Sequence, residues 1–255
     1  MIFRRSVARL RGQDWLAITI ELAIVVIGVF IGIQVANWNE DRLEGRKTQR
    51  MLTRLKPELR NLLDLYASAR KYYATTRDYA ATAFAGWRSD PKVSDRDFVI
   101  AAYQASQIYA TAVNNATWAT IFGAERLGTI DDSLIRNNLA FLMYSDTTQI
   151  DTEAVNTPYR QNVRRVIPVE IQDAIRAKCG DRSPVDNPQL FFLPESCDLD
   201  IAPDAAEAAA DALRAHPELI DDLRWHTAAA AAFLSNIYTF EIKTSQLKER
   251  IDSLE

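Results

Sequence analysis

Residues 15–38 read WLAITIELAIVVIGVFIGIQVANW, and Glu21 is the only ionisable residue between the two tryptophans that bound the stretch. An α-helix rises by about 1.5 Å per residue, so Trp15 and Trp38 would lie roughly 34 Å apart. The apolar core of a bilayer is about 30 Å thick, and tryptophan is enriched at both of its interfaces. The stretch therefore predicts a transmembrane helix over residues 15–38, with Trp15 and Trp38 at the membrane interfaces.

Two other interpretations of this stretch are less favoured. A core helix of a soluble protein would have to be covered on every side, because the stretch has no polar face. A secretory signal peptide has a shorter apolar region and ends at small residues of the A-x-A type, which do not follow here. We therefore expect the helix to be retained as a membrane anchor.

Basic residues on the two sides of this helix give conflicting signals about its orientation. Four arginines lie between positions 4 and 11, and six Lys or Arg residues lie between positions 42 and 56. Basic residues favour the cytoplasmic side, but long domains translocate largely regardless of their charge. We give more weight to the short N-terminal segment, and expect residues 1–14 to form a basic cytoplasmic tail and residues 39–255 an extracytoplasmic domain.

One face of the anchor has the composition of a helix–helix contact. Ala17, Glu21, Gly28, Gly32 and Ala36 share a stripe on a helix of 3.6 residues per turn. Small residues four positions apart let two backbones approach closely, and an acid inside a bilayer usually faces protein. The stripe predicts a contact with a membrane-protein partner or a second copy, although glycine is also common in transmembrane helices that have no such contact.

The stretch ELAIVVIGVFIGIQVANWNEDR, residues 21–42, resembles the anchor of a family of uncharacterised bacterial single-pass membrane proteins with a domain of unknown function. The shared pattern is E-x-x-x-VVIG-x-x-x-x-x-Q-x-x-NWNE, which opens on Glu21 and closes on Glu40. Residues 114–144 are similar to a second recurrent block of that family. The resemblance implies a helical domain and no known activity. Together with the orientation favoured above, a bacterial protein of this kind is expected in the inner membrane, with the bulk of the chain in the periplasm.

The chain beyond the anchor has the pattern of a helical bundle. Only eight glycines and a 48% hydrophobic fraction argue against a β-sandwich and against disorder. Apolar or small residues recur at steps of three and four along two segments, which predicts long helices over about 40–88 and 217–254. The first seam comprises Leu52, Leu55, Leu59, Leu62, Tyr66, Ala69, Tyr73, Thr76, Ala80, Ala83 and Trp87, and the second comprises Leu223, His226, Ala230, Phe233, Ile237, Phe240, Thr244, Leu247, Ile251 and Leu254.

These two seams predict an all-α protein in which the transmembrane helix is followed by an elongated antiparallel helical bundle. An intermolecular coiled coil is the alternative for the first long helix. Pro57 would either kink that helix or begin a new one. Shorter helices are expected over about 94–113, 116–127, 131–145, 148–166 and 169–179, and residues 181–203 are expected to form an irregular loop. The loop and its surroundings contain the two cysteines, Cys179 and Cys197, which are either one disulfide or two buried thiols.

No motif in the sequence indicates catalysis, a metal or a cofactor. His216 and His226 are the only histidines, and neither has the spacing of a zinc site. The chain has no G-x-S-x-G, P-loop or G-x-G-x-x-G pattern. Asp198, Asp200 and Asp204 lack the glycine and distal glutamate of a calcium-binding EF-hand loop, so we expect solvated charge there. A net charge of −4 makes nucleic-acid binding an unfavourable interpretation.

The sequence therefore favours a non-enzymatic function. We expect a membrane-tethered helical interaction module or an accessory subunit of a membrane complex, with the lipid bilayer and a membrane protein or second copy as partners and no cofactor. The alternative is an extracytoplasmic bundle that senses a small molecule and acts through a membrane partner, which is an analogy at the level of fold. A pocket with a few polar groups would favour sensing, whereas a solid core would favour docking.

Overall fold

A computed structural model describes residues 15–109, 127–128, 130–145 and 155–254. These ranges contain helices and no strand, which confirms the all-α class. The helices of the described ranges are α1 (Trp15–Trp87), α2 (Asp95–Gln104), α3 (Ser133–Tyr144), α4 (Pro158–Val166), α5 (Val169–Cys179), α6 (Pro203–Arg214) and α7 (Glu218–Asp252). The predicted helix over 116–127 lies outside the described residues except for its last position.

The chain divides into two compact units, Met1–Thr53 and Arg54–Glu255. The described part of the first unit is the N-terminal portion of α1, whose apolar side chains are exposed on every side: Ile24, Val25, Phe30 and Ile31 are each more than half accessible. By length and composition α1 is able to cross a membrane, and no residue of its most apolar 18-residue stretch is buried. Helical structure continues through Pro57, so this proline does not begin a new helix.

The second unit is built on an antiparallel pair formed by the later part of α1 and by α7. Lys56 pairs with Asp252 at 3.0 Å, Arg70 pairs with Glu241 at 2.7 Å, and the rings of Tyr73 and Phe233 meet edge to face. Partner numbers fall along α7 as they rise along α1, so the two helices run in opposite directions. Nine of the ten predicted seam positions on α7 are buried, and only Leu254 is exposed.

Two shorter helices are fixed by caps and by close packing. Ser94 caps α2 by accepting a hydrogen bond from the Asp97 amide. Asp132 caps α3, and it also accepts a hydrogen bond from Arg250 of α7. α2 packs so tightly on α1 that a Cβ atom at Gly86 would overlap the Phe98 ring, so glycine is needed there for close approach.

The shorter helices differ from the predicted bounds in three places. α2 ends at Gln104, nine residues before the predicted end at 113. α4 begins at Pro158, ten residues after the predicted start at 148, and residues 148–154 of the predicted helix lie outside the described residues. α6, an alanine-rich helix after the irregular loop, was not predicted. α5 has its predicted bounds, Val169–Cys179.

Candidate functional site

The predicted contact stripe of the anchor is solvent-exposed in the structure. Glu21, Gly28, Gly32 and Ala36 all lie on the exposed surface of α1, and no atom lies within 4 Å of a Cβ built on either glycine. Trp15 and Trp38 are 73% and 64% accessible. Ala17 belongs to the same helix, but its side chain lies outside the described residues. The stripe is therefore an open surface on which another helix backbone can approach closely.

A disulfide joins Cys179 at the end of α5 to Cys197 in the irregular loop, with their Cα atoms 5.5 Å apart. The loop is held at further points by Ser68 and Tyr79 of α1, which donate to the carbonyls of Phe191 and Pro194 at 2.7 and 2.8 Å. An isolated antiparallel bridge between Arg182 and Phe192 closes the loop on itself. The segment that the sequence predicts as irregular is thus fastened to the helices by one covalent bond and several hydrogen bonds.

A layer of hydrogen-bonded polar groups lies inside the second unit, and we call it the polar core. Arg160 of α4 donates to the Ser106 carbonyl at 2.7 Å, and Arg164 donates to the Gln107 side chain at 3.0 Å. Gln104 donates to the Cys179 carbonyl at 2.7 Å. Because these buried groups have partners, the polar core costs less to bury than isolated polar groups would.

Titratable groups in the polar core are shifted mainly by burial. Tyr72 donates to Asp181 at 2.7 Å, and desolvation raises the pKa of both groups. Burial and the neighbouring Arg160 lower the pKa of Arg164, whose guanidinium stacks on the Tyr103 ring at 4.9 Å. Each of these groups therefore has a structural contact, and none of the groups is a nucleophile paired with a base.

His226 is the one histidine of α7 and lies at the edge of this core. Its Nδ1 is 2.7 Å from the Thr157 hydroxyl, while its Nε2 is buried and has no hydrogen-bond partner among the described residues. Burial and then the nearby Arg160 lower its pKa from 6.5 to about 4, and a backbone contact with Ala105 opposes part of this shift. The imidazole is therefore neutral at pH 7, and one of its nitrogens is left unsatisfied.

A pocket of about 280 Å³ opens between α1 and α7 beside His226. Its apolar lining is dominated by small side chains: Ala74, Ala105, Ala230 and Ala231. Of these, Ala74 on α1 and Ala230 on α7 occupy positions where two packed helices would ordinarily place larger residues that fill the space between them, whereas Ala231 is exposed. The sequence analysis missed this site because it placed Ala230 in a packing seam and drew no conclusion from the other alanines at 228–232. That run, placed opposite Ala74, is the signal that could have identified it.

The mouth of the pocket is cationic. Arg70 and Arg77 line it and are exposed, whereas no acidic residue belongs to the lining. Arg70 is neutralised by Glu241 at 2.7 Å. Arg77 forms no ion pair or hydrogen bond with any described residue. The pocket thus combines an apolar floor, one unpartnered cation at its rim and one unsatisfied imidazole nitrogen.

The remaining candidate groups from the sequence lie at the surface and are not brought together. His216 is exposed and hydrogen-bonds Glu218 at 2.7 Å, a contact that lowers the pKa of Glu218. The side chain of Asp198 is fully exposed beside Arg96. Within the described ranges, no group of three or more His, Cys, Asp or Glu side chains is arranged to hold a metal ion.

Comparison with known proteins finds no significant similarity to this chain, whether to a family model, to a curated protein or to a solved structure. The family resemblance of residues 21–42 therefore stays a prediction.

Proposed function

We propose that the protein is a single-pass protein of a bacterial inner membrane that acts without catalysis, as a membrane-tethered interaction module or accessory subunit. The observation that carries this proposal is the N-terminal part of α1, where apolar side chains are exposed on all sides over residues 18–35. Such a surface is unfavourable in water and favourable in a bilayer, where every backbone group of a helix is satisfied internally. Residues 15–38 form the transmembrane helix, and Trp15 and Trp38 lie at its interfaces.

Glu21 and the small residues of the stripe are the proposed contact with a partner helix. A carboxylate near the bilayer interior is costly and is usually protonated or hydrogen-bonded by protein. Gly28 and Gly32 offer the close backbone approach that such a contact needs. The partner is a membrane protein or a second copy of this chain.

The second unit is proposed to be an antiparallel helical bundle on the periplasmic side, with residues 1–14 in the cytoplasm. The disulfide between Cys179 and Cys197 supports this orientation, because structural disulfides persist in oxidising compartments such as the bacterial periplasm. A periplasm-active reporter fused to the C-terminus tests the orientation, and we expect it to be active. A silent reporter together with an active cytoplasmic one would reverse the topology.

Purification in mild detergent, followed by native electrophoresis and mass spectrometry, tests the interaction. We expect a discrete complex that Glu21→Leu and Gly32→Leu disrupt, because both changes alter the stripe. Ala23→Leu is the matched control, since it also enlarges a small residue but lies roughly 200° around the helix from Glu21 at about 100° per residue. A monomer without a partner, or a complex unaffected by both stripe variants, would contradict the proposal.

A second function, small-molecule sensing, is favoured by a separate observation. The pocket beside His226 is concave, largely apolar and has a few polar groups, which are the features of small-molecule sites. Binding there would report on the periplasm, and the signal would pass through a membrane partner. Ligand binding by the second unit distinguishes this function from docking alone.

A further inference from the structure

We propose that the pocket between α1 and α7 binds a small amphipathic carboxylate, whose apolar body lies on the alanine floor and whose carboxylate pairs with Arg77. This inference rests on the second candidate function, small-molecule sensing, and specifies the chemical class of its ligand.

The size of the pocket restricts the ligand to a small molecule. Its volume of about 280 Å³ is just below the range of roughly 300–1,000 Å³ that is typical of sites for drug-sized ligands. The space exists because Ala74 and Ala230 are small where α1 and α7 pack, and the exposed Ala231 also lines it. Tyr73 adds an aromatic side chain to the lining, so a flat apolar body of one ring fits the composition of the walls.

The charge of the rim specifies an anion. The pocket lining contains two arginines and no carboxylate, and Glu241 already neutralises Arg70. Arg77 has no ionic partner among the described residues, so its guanidinium is available to a ligand. A guanidinium matches a carboxylate with two parallel hydrogen bonds, which makes a carboxylate a better partner than a neutral polar group.

His226 supplies the independent observation. Its side chain is only 2% accessible and lines the pocket. The backbone of Ala105 lies near the ring, but Nε2 has no hydrogen bond of normal geometry to any group in the described part of the chain. Buried polar atoms in folded proteins are nearly always satisfied, so an unsatisfied one calls for a missing partner. A hydroxyl group on the apolar body both donates and accepts, and therefore suits either tautomer of the imidazole.

The probe that combines these features is 3-(4-hydroxyphenyl)propionate, which has one ring, one hydroxyl and one carboxylate. Calorimetry with the full chain in lipid nanodiscs, with empty nanodiscs as the blank, measures its binding. We expect binding at millimolar or lower concentration. The corresponding amide, which differs only in losing the charge, should bind at least about tenfold more weakly, because charge-assisted hydrogen bonds are roughly twice as strong as neutral ones.

Two variants test the assigned contacts. Arg77→Gln should remove the preference for the carboxylate over the amide, and this exposed position is compatible with folding. Ala231→Leu should abolish binding by filling the pocket, whereas Ala228→Leu, an exposed position on the same helix outside the lining, should leave binding unchanged. Circular dichroism confirms that each variant is folded.

Several results would overturn the inference. Equal affinity for acid and amide, or an unchanged preference in Arg77→Gln, would refute the carboxylate contact, and unaltered binding to folded Ala231→Leu would place the ligand elsewhere. Tighter binding of tyramine, the cationic analogue, would refute the carboxylate while retaining a ligand-binding pocket. No binding of acid, amide or amine would refute both the inference and sensing, and would leave the membrane-tethered docking function to its own co-purification test.

Discussion

Two parts of α1 contain similar apolar side chains and place them in opposite surroundings. Over residues 18–35 the large apolar side chains are between 39% and 65% accessible. Over residues 55–83 the predicted seam positions that are buried reach at most 5%. The first part is apolar on every side, while the second has an apolar seam that packs on the rest of the second unit, for example where Tyr73 meets Phe233 of α7. The arrangement of apolar residues around the helix, rather than their number, therefore indicates which medium each part requires.

The largest expected difference comes from the same kind of truncation in the two parts. Leu59→Ala should lower the free energy of unfolding of the second unit by about 2–5 kcal/mol, since Leu59 is fully buried and its loss leaves a cavity. Ile27→Ala should leave that free energy unchanged, because Ile27 is 55% accessible in the first unit. Urea titration in detergent, followed by the fluorescence of the tryptophans and by circular dichroism, measures both. Equal effects would contradict the distinction between the two surroundings.

An added positive charge should affect membrane insertion strongly in the first part of α1 and not at all in the second part. Phe30→Arg should reduce membrane insertion by about 2.5–3.5 kcal/mol, which is the cost of an arginine at the centre of a transmembrane helix. Asn61→Arg introduces the same side chain at an exposed position of the second part and should have no effect on insertion. Fractionation of membranes after alkaline washing measures the inserted share. Full retention of Phe30→Arg in the membrane would argue against the transmembrane assignment.

The sequence predicted those features of the fold that depend on periodicity. The seams of α1 and α7 and the bounds of α5 follow from the recurrence of apolar residues. The early end of α2 does not, because it depends on a distant contact. Arg160 donates a hydrogen bond to the Ser106 carbonyl at 2.7 Å, so that carbonyl is satisfied by a side chain of α4 instead of by a further helical turn. Tertiary contacts of this kind override helix propensity, and the local sequence pattern does not predict them.

The candidate site was harder to predict than the fold for a related reason. Alanine favours helices and is compatible with packing, but it is only weakly apolar. The sequence therefore shows no strong apolar pattern at α6 or at the pocket. α6 begins with Pro203 at its first turn and buries Ala206, Ala209, Ala210 and Leu213, a pattern that identifies it only in retrospect. The pocket requires in addition that Ala74 lie opposite Ala230 and Ala231, and this depends on the register between two helices distant in sequence.

Acidification should destabilise the second unit through His226. Its pKa is about 4 in the folded protein and about 6.5 when unfolded, so the unfolded state binds the proton more tightly. The free energy of unfolding should fall by about 2–3 kcal/mol as the pH drops from 6.5 to 4, since the imidazole must charge while largely buried. Denaturant titrations across this range measure the dependence on pH.

Two variants isolate the contribution of that imidazole. His226→Gln should flatten the dependence of stability on pH between 6.5 and 4, because glutamine does not titrate. Ala232→Gln introduces the same side chain at an exposed position of the same helix and removes no titratable group, so it should leave the dependence unchanged. Parallel pH curves for the wild type and His226→Gln would show that other groups control the acid response. The anchor offers no comparable histidine, so the effect belongs to the second unit alone.

The smallest expected effect concerns a single cap of the second unit. Asp132 accepts hydrogen bonds from the Leu134 and Ile135 amides and from Arg250, and the Ile135 contact is the main cause of its lowered pKa. Asp132→Ala should reduce the free energy of unfolding by about 1 kcal/mol, as expected for loss of an N-cap. Its neighbour Asp131 is exposed and does not cap α3, so Asp131→Ala is the control.

Because the folded pKa of Asp132 is depressed, the cap stabilises the second unit above the unfolded pKa and loses its effect as the pH falls through the folded pKa. The difference in stability between wild type and Asp132→Ala should therefore shrink in acid. A difference that persists below that pH would mean that the carboxylate charge is not what stabilises the start of α3.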